Sequence, residues 1–262
     1  MVAHSCWICG QPSDTSEHRI KKSDLVQQYG TGPYRGTETL MHFKAGRVSK
    51  VQGPDSALVK YRKDLCGQCN SAFTKPFDLA YEQFIAWTMT NDEEVLRHRV
   101  IDFEPVFGHE WENKRRDLFK FFAKCFGCRL TEAGQPVPAD VVDLLSKTGF
   151  TTALYVTFLV NEDVRELDIQ NVGTEALVVH RERSTGDDLG FQCGHSVGWL
   201  TMMYWYRHFP MEPIGSRWIA NSKHVYLGWR RMFGSSASGN IDPASPSASP
   251  HGRRSRRSAG RG

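Results

Sequence analysis

Two Cys-x-x-Cys pairs, Cys6-Trp7-Ile8-Cys9 and Cys66-Gly67-Gln68-Cys69, offer four thiols to a single tetrahedral zinc ion. Four sulfur ligands leave the metal no open position, so its expected role is structural. Glu17 and His18 stand side by side behind the first pair, and Asn70 directly follows the second. A metal staple joining the pairs would draw a carboxylate, an imidazole and an amide together across a long stretch of chain. Such a constellation is a candidate metal-dependent phosphodiesterase site. An imidazole suits the base, because it ionises near neutrality and accepts a proton from water. Arg19, Lys21 and Lys22 place three cations alongside, as contacts to a nucleic-acid backbone require.

Each residue also has a plainer use. His18 could be a surface histidine, and the three cations a solvated cluster. Asn70 could cap the helix that follows, its side chain accepting from a free backbone N–H. Cys125-Phe126-Gly127-Cys128 repeats the spacing of the first two pairs, with Cys193 and His195 downstream. It falls in an apolar helical stretch, where small thiols pack well, so a second zinc site is the lesser reading.

The elements that must position these residues follow from the pattern of the chain. Gly10 gives the turn of the first knuckle, and Glu17 to Ile20 reads as a short extended segment. Tyr29 to Pro33 reads as a loop. Thr37 to Val51, apolar and β-branched around Gly46, suggests a basic hairpin. From Asn70, Phe73, Phe77, Ala80, Tyr81, Phe84, Ile85 and Trp87 recur at helical spacing and read as core. Pro76 lies in the first turn, and Asp78 is an acid that complements the helix dipole. Asp92 to Leu96 begins a further helix. Asn113 to Leu130 carries Leu118, Phe122, Phe126 and Leu130 on one stripe. Pro138 to Lys147 is a shorter helix. Then the texture changes to strands, over 152–160, 176–180, 197–206 and 222–228. After Arg231 a Ser/Ala/Pro/Gly-rich, arginine-bearing tail lacks the means to bury a core.

At 262 residues and 40% hydrophobic content, the chain can hold one large or two small domains. Its formal net charge of +4 is compatible with a polyanionic partner. No apolar run approaches the roughly 20 residues that span a bilayer, so no membrane segment is expected. The N-terminus lacks an apolar signal core, and four of seven cysteines sit in metal-type pairs. Both features point to a cytoplasmic chain with reduced thiols.

Cys-Trp-Ile-Cys-Gly, Glu-His-Arg-Ile and Leu-Cys-Gly-Gln-Cys-Asn-Ser-Ala-Phe, in that order, resemble an HNH endonuclease of the zinc-stapled kind, over roughly residues 5–85. The resemblance implies a ββα-metal nuclease that hydrolyses phosphodiester bonds of nucleic acid, with DNA the expected substrate and RNA the variant. It implies His18 as general base. It implies Glu17 and Asn70 as ligands of a catalytic Mg²⁺ or Mn²⁺, which neutralises charge on the scissile phosphate. The middle asparagine of the signature has no counterpart, since residues 19–65 contain none and His42 is the sole histidine there.

The expected fold is therefore α+β. A treble-clef-like, zinc-stapled ββα unit over 1–90 leads to helices and an antiparallel sheet over 91–232, and then a disordered basic tail over 233–262. The second region would select substrate, bind a partner protein or form a homo-oligomer. The competing reading is a non-catalytic zinc-stapled module that binds nucleic acid or protein.

Overall fold

The computed structural model describes residues 5–35, 40–44, 46–146, 151–207 and 215–231, the side chains of 43 and 44 excepted. The basic tail and residues 37–39 of the expected hairpin lie outside these residues. Strand β1 (Thr15–His18) and helix α1 (Lys22–Tyr29) come first. The hairpin of β2 (Met41–Lys44) and β3 (Arg47–Lys50) turns at Gly46, whose φ of 75° suits glycine. Strand β4 (Lys60–Leu65) returns antiparallel to β1, pairing Thr15 with Leu65, Ser16 with Lys63 and His18 with Lys60. After the second cysteine pair, one π-helical turn (Cys69–Phe73) enters α2 (Lys75–Thr90). Next come α3 (Asp92–His98), β5 (Val100–Asp102), α4 (Phe103–Phe107), α5 (Trp111–Glu132) and α6 (Ala139–Ser146).

The second half is strand-rich. It comprises β6 (Leu154–Asn161), α7 (Glu162–Glu166), β7 (Val172–Thr174), β8 (Val178–Arg181), β9 (Asp188–Val197), β10 (Leu200–Arg207), β11 (His224–Tyr226) and β12 (Gly228–Arg230). One sheet runs β12-β6-β10-β9-β7, with β8 also on β9. All its pairings are antiparallel except β12 with β6. β11 pairs with β5 apart from this sheet. The chain is thus mixed α+β, as its pattern leads one to expect.

β6 is buried along its whole length and β10 along all but its last residue, which is why both read as largely apolar runs, broken by Thr157 and Thr201, rather than alternating ones. One face of the sheet meets the helices: Phe84 of α2 and Phe122 of α5 touch Phe158, and Trp218 stacks on Phe103 with ring centres 5.0 Å apart. The other face carries a smaller cluster of Tyr155, Leu159, Met203 and Trp205. The main core is continuous from Ile20 to Leu227. The boundary expected at 90–91 falls between α2 and α3, and the core runs across it.

Candidate metal centre and the β1–β4 ribbon

The four cysteines of the two knuckles come together. Their Sγ atoms all lie within 4.8 Å of one another, a set that could hold a metal ion such as zinc. Tetrahedral Zn–S bonds of about 2.3 Å put sulfurs about 3.8 Å apart. Cys9 and Cys66 are at 3.6 Å, so the donors fit. The backbone is folded for this purpose. Gly10 N–H donates to the Cys6 carbonyl at 2.8 Å with φ at 77°, and Asn70 N–H donates to the Cys66 carbonyl at 2.9 Å. The Cys69 amide donates to Cys66 Sγ at 3.4 Å and favours its thiolate. Cys128 is buried in the same cluster, whereas Cys125 packs in the main core. Among the described residues no second metal-ligating group forms from Cys125, Cys128, Cys193 and His195.

β1 carries the two residues behind the first knuckle. Neighbours on a strand face opposite ways, and Glu17 and His18 do so. Glu17 points inward and is buried. Its Oε2 lies 3.2 Å from the Lys124 ammonium on α5, which in turn lies 2.7 Å from Asp78 Oδ1 on α2. Burial pushes the Glu17 carboxyl upward, and Lys124 opposes that push. Burial also works against the Lys124 ammonium, but the two carboxylates outweigh it and hold its pKa above the ordinary value.

His18 is half-buried on the other face. Its Nε2–H donates to the Pro54 carbonyl at 3.3 Å, which leaves Nδ1 as the lone-pair nitrogen. Burial and the nearby Lys60 charge lower its pKa, so the ring is neutral near pH 7. Asn70 does not cap α2. Its Nδ2 donates across to the Ser16 carbonyl at 3.4 Å, and its Oδ1 is buried with no hydrogen-bond partner. Glu17, His18 and Asn70 are therefore gathered on or against β1, without direct contact among their side chains.

The three flanking cations are each engaged by carboxylates. Arg19 makes a bidentate pair with Glu132 and lies over the Tyr61 ring. Lys21 reaches Asp78 at 3.1 Å and Glu82 at 3.4 Å, and Lys22 reaches Asp55 at 2.7 Å. Residues paired across an antiparallel ladder share a face, so Lys60 stands on the His18 side; a β-bulge separates that pair from Ser16–Lys63, and Lys63 is exposed beyond it. Lys60 and Arg62 are only loosely neutralised, Lys60 by Asp55 and Arg62 by Asp64, without a close ion pair among the described residues.

The sequence pattern missed the part that α5 plays. Four positions along one side of it seat the ribbon: Lys124 on Glu17, Gly127 under Trp7, Thr131 on Asp64 at 2.5 Å, and Glu132 on Arg19. One signal was available. Lys124 is a lysine inside Phe121-Phe122-Ala123-Lys124-Cys125-Phe126, and lysine inside such a run needs a buried partner.

A second polar chain crosses the core nearby. Tyr81 O–H donates to Asp24 Oδ2 at 2.7 Å, and His195 Nε2 lies 3.1 Å from the Tyr81 oxygen. Tyr204 O–H bonds to His195 Nδ1. With the Tyr81 O–H directed at Asp24, His195 must donate from Nε2 and accept at Nδ1. That assignment requires a neutral ring, and burial lowers its pKa to about 3.

A cleft of about 520 Å³ opens beside Arg19, Arg129 and Glu132, walled by Leu40, Val59 and Leu177. Among the described residues no helix is long and apolar enough to cross a membrane. No protein-family model, curated protein or solved structure matches the chain.

Proposed function

We propose that the chain is a metal-dependent endonuclease of the HNH type that hydrolyses phosphodiester bonds of nucleic acid, DNA foremost. The observation that carries this reading is the state of Asn70, beside a strand bearing Glu17 and His18. A buried amide oxygen without a donor is costly, and a divalent cation is one partner, beside a water, that would satisfy it.

In this mechanism His18 takes a proton from water at Nδ1, while the Pro54 carbonyl holds Nε2–H and fixes the tautomer. That carbonyl performs the orienting task for which the signature uses its middle asparagine. Lys60 on the His18 face and Lys63 beyond it hold the phosphate backbone, because Arg19, Lys21 and Lys22 already have close carboxylate partners. Glu17 and Asn70 would hold the divalent ion, Mg²⁺ or Mn²⁺, which when bound supplies charge stabilisation for the phosphate and the departing 3′ oxygen. Of these ligands Asn70 Oδ1 fits as it stands, whereas Glu17 shares its carboxylate with Lys124 on the face of β1 opposite His18, so it must turn from Lys124 before it and His18 can serve one phosphate.

That shared carboxylate favours the competing reading, a zinc-stapled binding module without catalysis. Incubating supercoiled plasmid with wild type and with His18→Ala, in Mg²⁺ and in Mn²⁺, separates the two. Nicking by wild type that falls at least ~10²-fold in the variant is expected for an enzyme using a general base. Binding of the plasmid without nicking in either metal leaves the module.

A further inference from the structure

The Glu17 carboxylate, to which the nuclease reading assigns a divalent cation, already has a cation of the chain's own. Lys124 has no solvent exposure, and its Nζ sits between Glu17 Oε2 at 3.2 Å and Asp78 Oδ1 at 2.7 Å. It is supplied by α5, outside the motif that carries the resemblance. Fully buried lysines are rare unless paired, and this one is paired twice.

Resting on the nuclease reading, we infer that Lys124 is a positioning residue of the site: an internal cation that competes with the divalent ion for Glu17. An ammonium and a divalent ion sharing one carboxylate would repel each other, and away from bulk water that repulsion exceeds thermal energy several-fold. The ion therefore binds firmly only when Lys124 leaves Glu17. Asp78 makes that exchange feasible. It is the closer of the two partners, and it keeps the ammonium paired after Glu17 is released. Lys21, 3.1 Å from the same Asp78 oxygen, stands at the edge of the exchange.

The inference predicts opposite effects from two substitutions. Lys124→Met removes the competitor and leaves Glu17 and Asp78 facing a gap, so in alkaline buffer, where Glu17 stays ionised without Lys124, Mn²⁺ binds roughly tenfold or more tightly than to wild type. Asp78→Asn removes the alternative partner and ties Lys124 to Glu17, so Mn²⁺ binds more weakly by a similar factor. Both are measured in that buffer by calorimetric Mn²⁺ titration of the full-length, zinc-loaded chain, with Glu17→Gln as the control expected to abolish the tight binding. A merely structural lysine would produce neither a gain in Lys124→Met nor a loss in Asp78→Asn. Unchanged or weaker Mn²⁺ binding in Lys124→Met overturns the inference. Should Lys124→Met fail to fold, unchanged or tighter binding in Asp78→Asn overturns it. The nuclease reading fails separately: if wild type never nicks plasmid, that reading falls, while the Mn²⁺ affinities still decide the competition. If wild type nicks and both variants bind Mn²⁺ as wild type does, only the role of Lys124 falls.

Discussion

The six-membered ring of Trp7 occupies the space where a side chain on Gly127 would begin. A β-carbon built on Gly127 would come within 3 Å of Cζ2, Cη2 and Cζ3 of the indole. The first cysteine knuckle is thereby seated on α5, with the Trp7 amide also donating to the Asp64 carbonyl at 3.2 Å. Gly127→Ala sets two effects against each other. Alanine favours a helix interior by about 1 kcal/mol over glycine. The ring clash costs about 1–3 kcal/mol, as overpacking does, and Trp7 cannot retreat without moving the knuckle. We expect net destabilisation and faster loss of metal to a chelator. Restoration of both by Trp7→Leu in the Gly127→Ala background would show the contact to be the cause. A Gly127→Ala chain that melts above wild type would refute it.

Metal removal should unfold the ribbon first. A four-cysteine zinc site contributes on the order of 10 kcal/mol to folding its surroundings. Elemental analysis should find one zinc per chain in wild type and a large deficit in Cys66→Ala or Cys69→Ala, together with a lower melting temperature. Full zinc content in either variant would mean the four sulfurs are not the ligand set.

Asp24 and His195 should give stability dependences on pH of opposite sign. Burial raises Asp24 from 3.8 to about 7, so the folded chain holds an extra proton between those values. Its contribution is complete at low pH and is lost as pH rises towards 7. Burial lowers His195 from 6.5 to about 3, so there the unfolded chain holds the extra proton. Its contribution is complete above 6.5 and is lost as pH falls towards 3. Between about pH 4 and 6.5 the two oppose each other, and wild type should vary little on their account. In Asp24→Asn only the histidine remains, so denaturant-derived stability should climb by up to about 1.4 kcal/mol per pH unit across this window. A variant whose profile parallels wild type would show that the two groups do not titrate as described.

Removing loosely held and tightly paired charges from the ribbon should have different consequences. Lys60→Ala and Lys63→Ala should weaken binding to nucleic acid of any sequence, each reducing the salt slope by about 1. Arg19→Ala should instead lower the melting temperature, because it leaves Glu132 without its bidentate partner. Fluorescence anisotropy against salt concentration and a thermal melt on the same preparations distinguish these outcomes. Equal binding losses from Arg19→Ala and Lys60→Ala, with no change in melting, would show the assignment of these cations to be wrong.

Sequence alone determined the local features. Cysteine spacing brings four thiols to one metal-sized space, and helical periodicity marks α2 and α5, because both signals repeat within a few residues. Strand β9 gave no such signal, since Gly190 and Gly194 interrupt its apolar pattern. The structure shows why glycine stands there. A β-carbon at Gly194 would come 2.6 Å from the Met202 carbonyl oxygen, and one at Gly190 would meet that of Tyr206. The close approach belongs to β10, so no local pattern reports it. The same holds for Glu17 and the cations beside it. Their types are plain in the chain, but their partners, Lys124, Asp78 and Glu132, come from helices far along it. Tertiary packing decided which charges face each other in the interior and which remain open to a ligand, because burial makes pairing obligatory only once the distant partner has arrived.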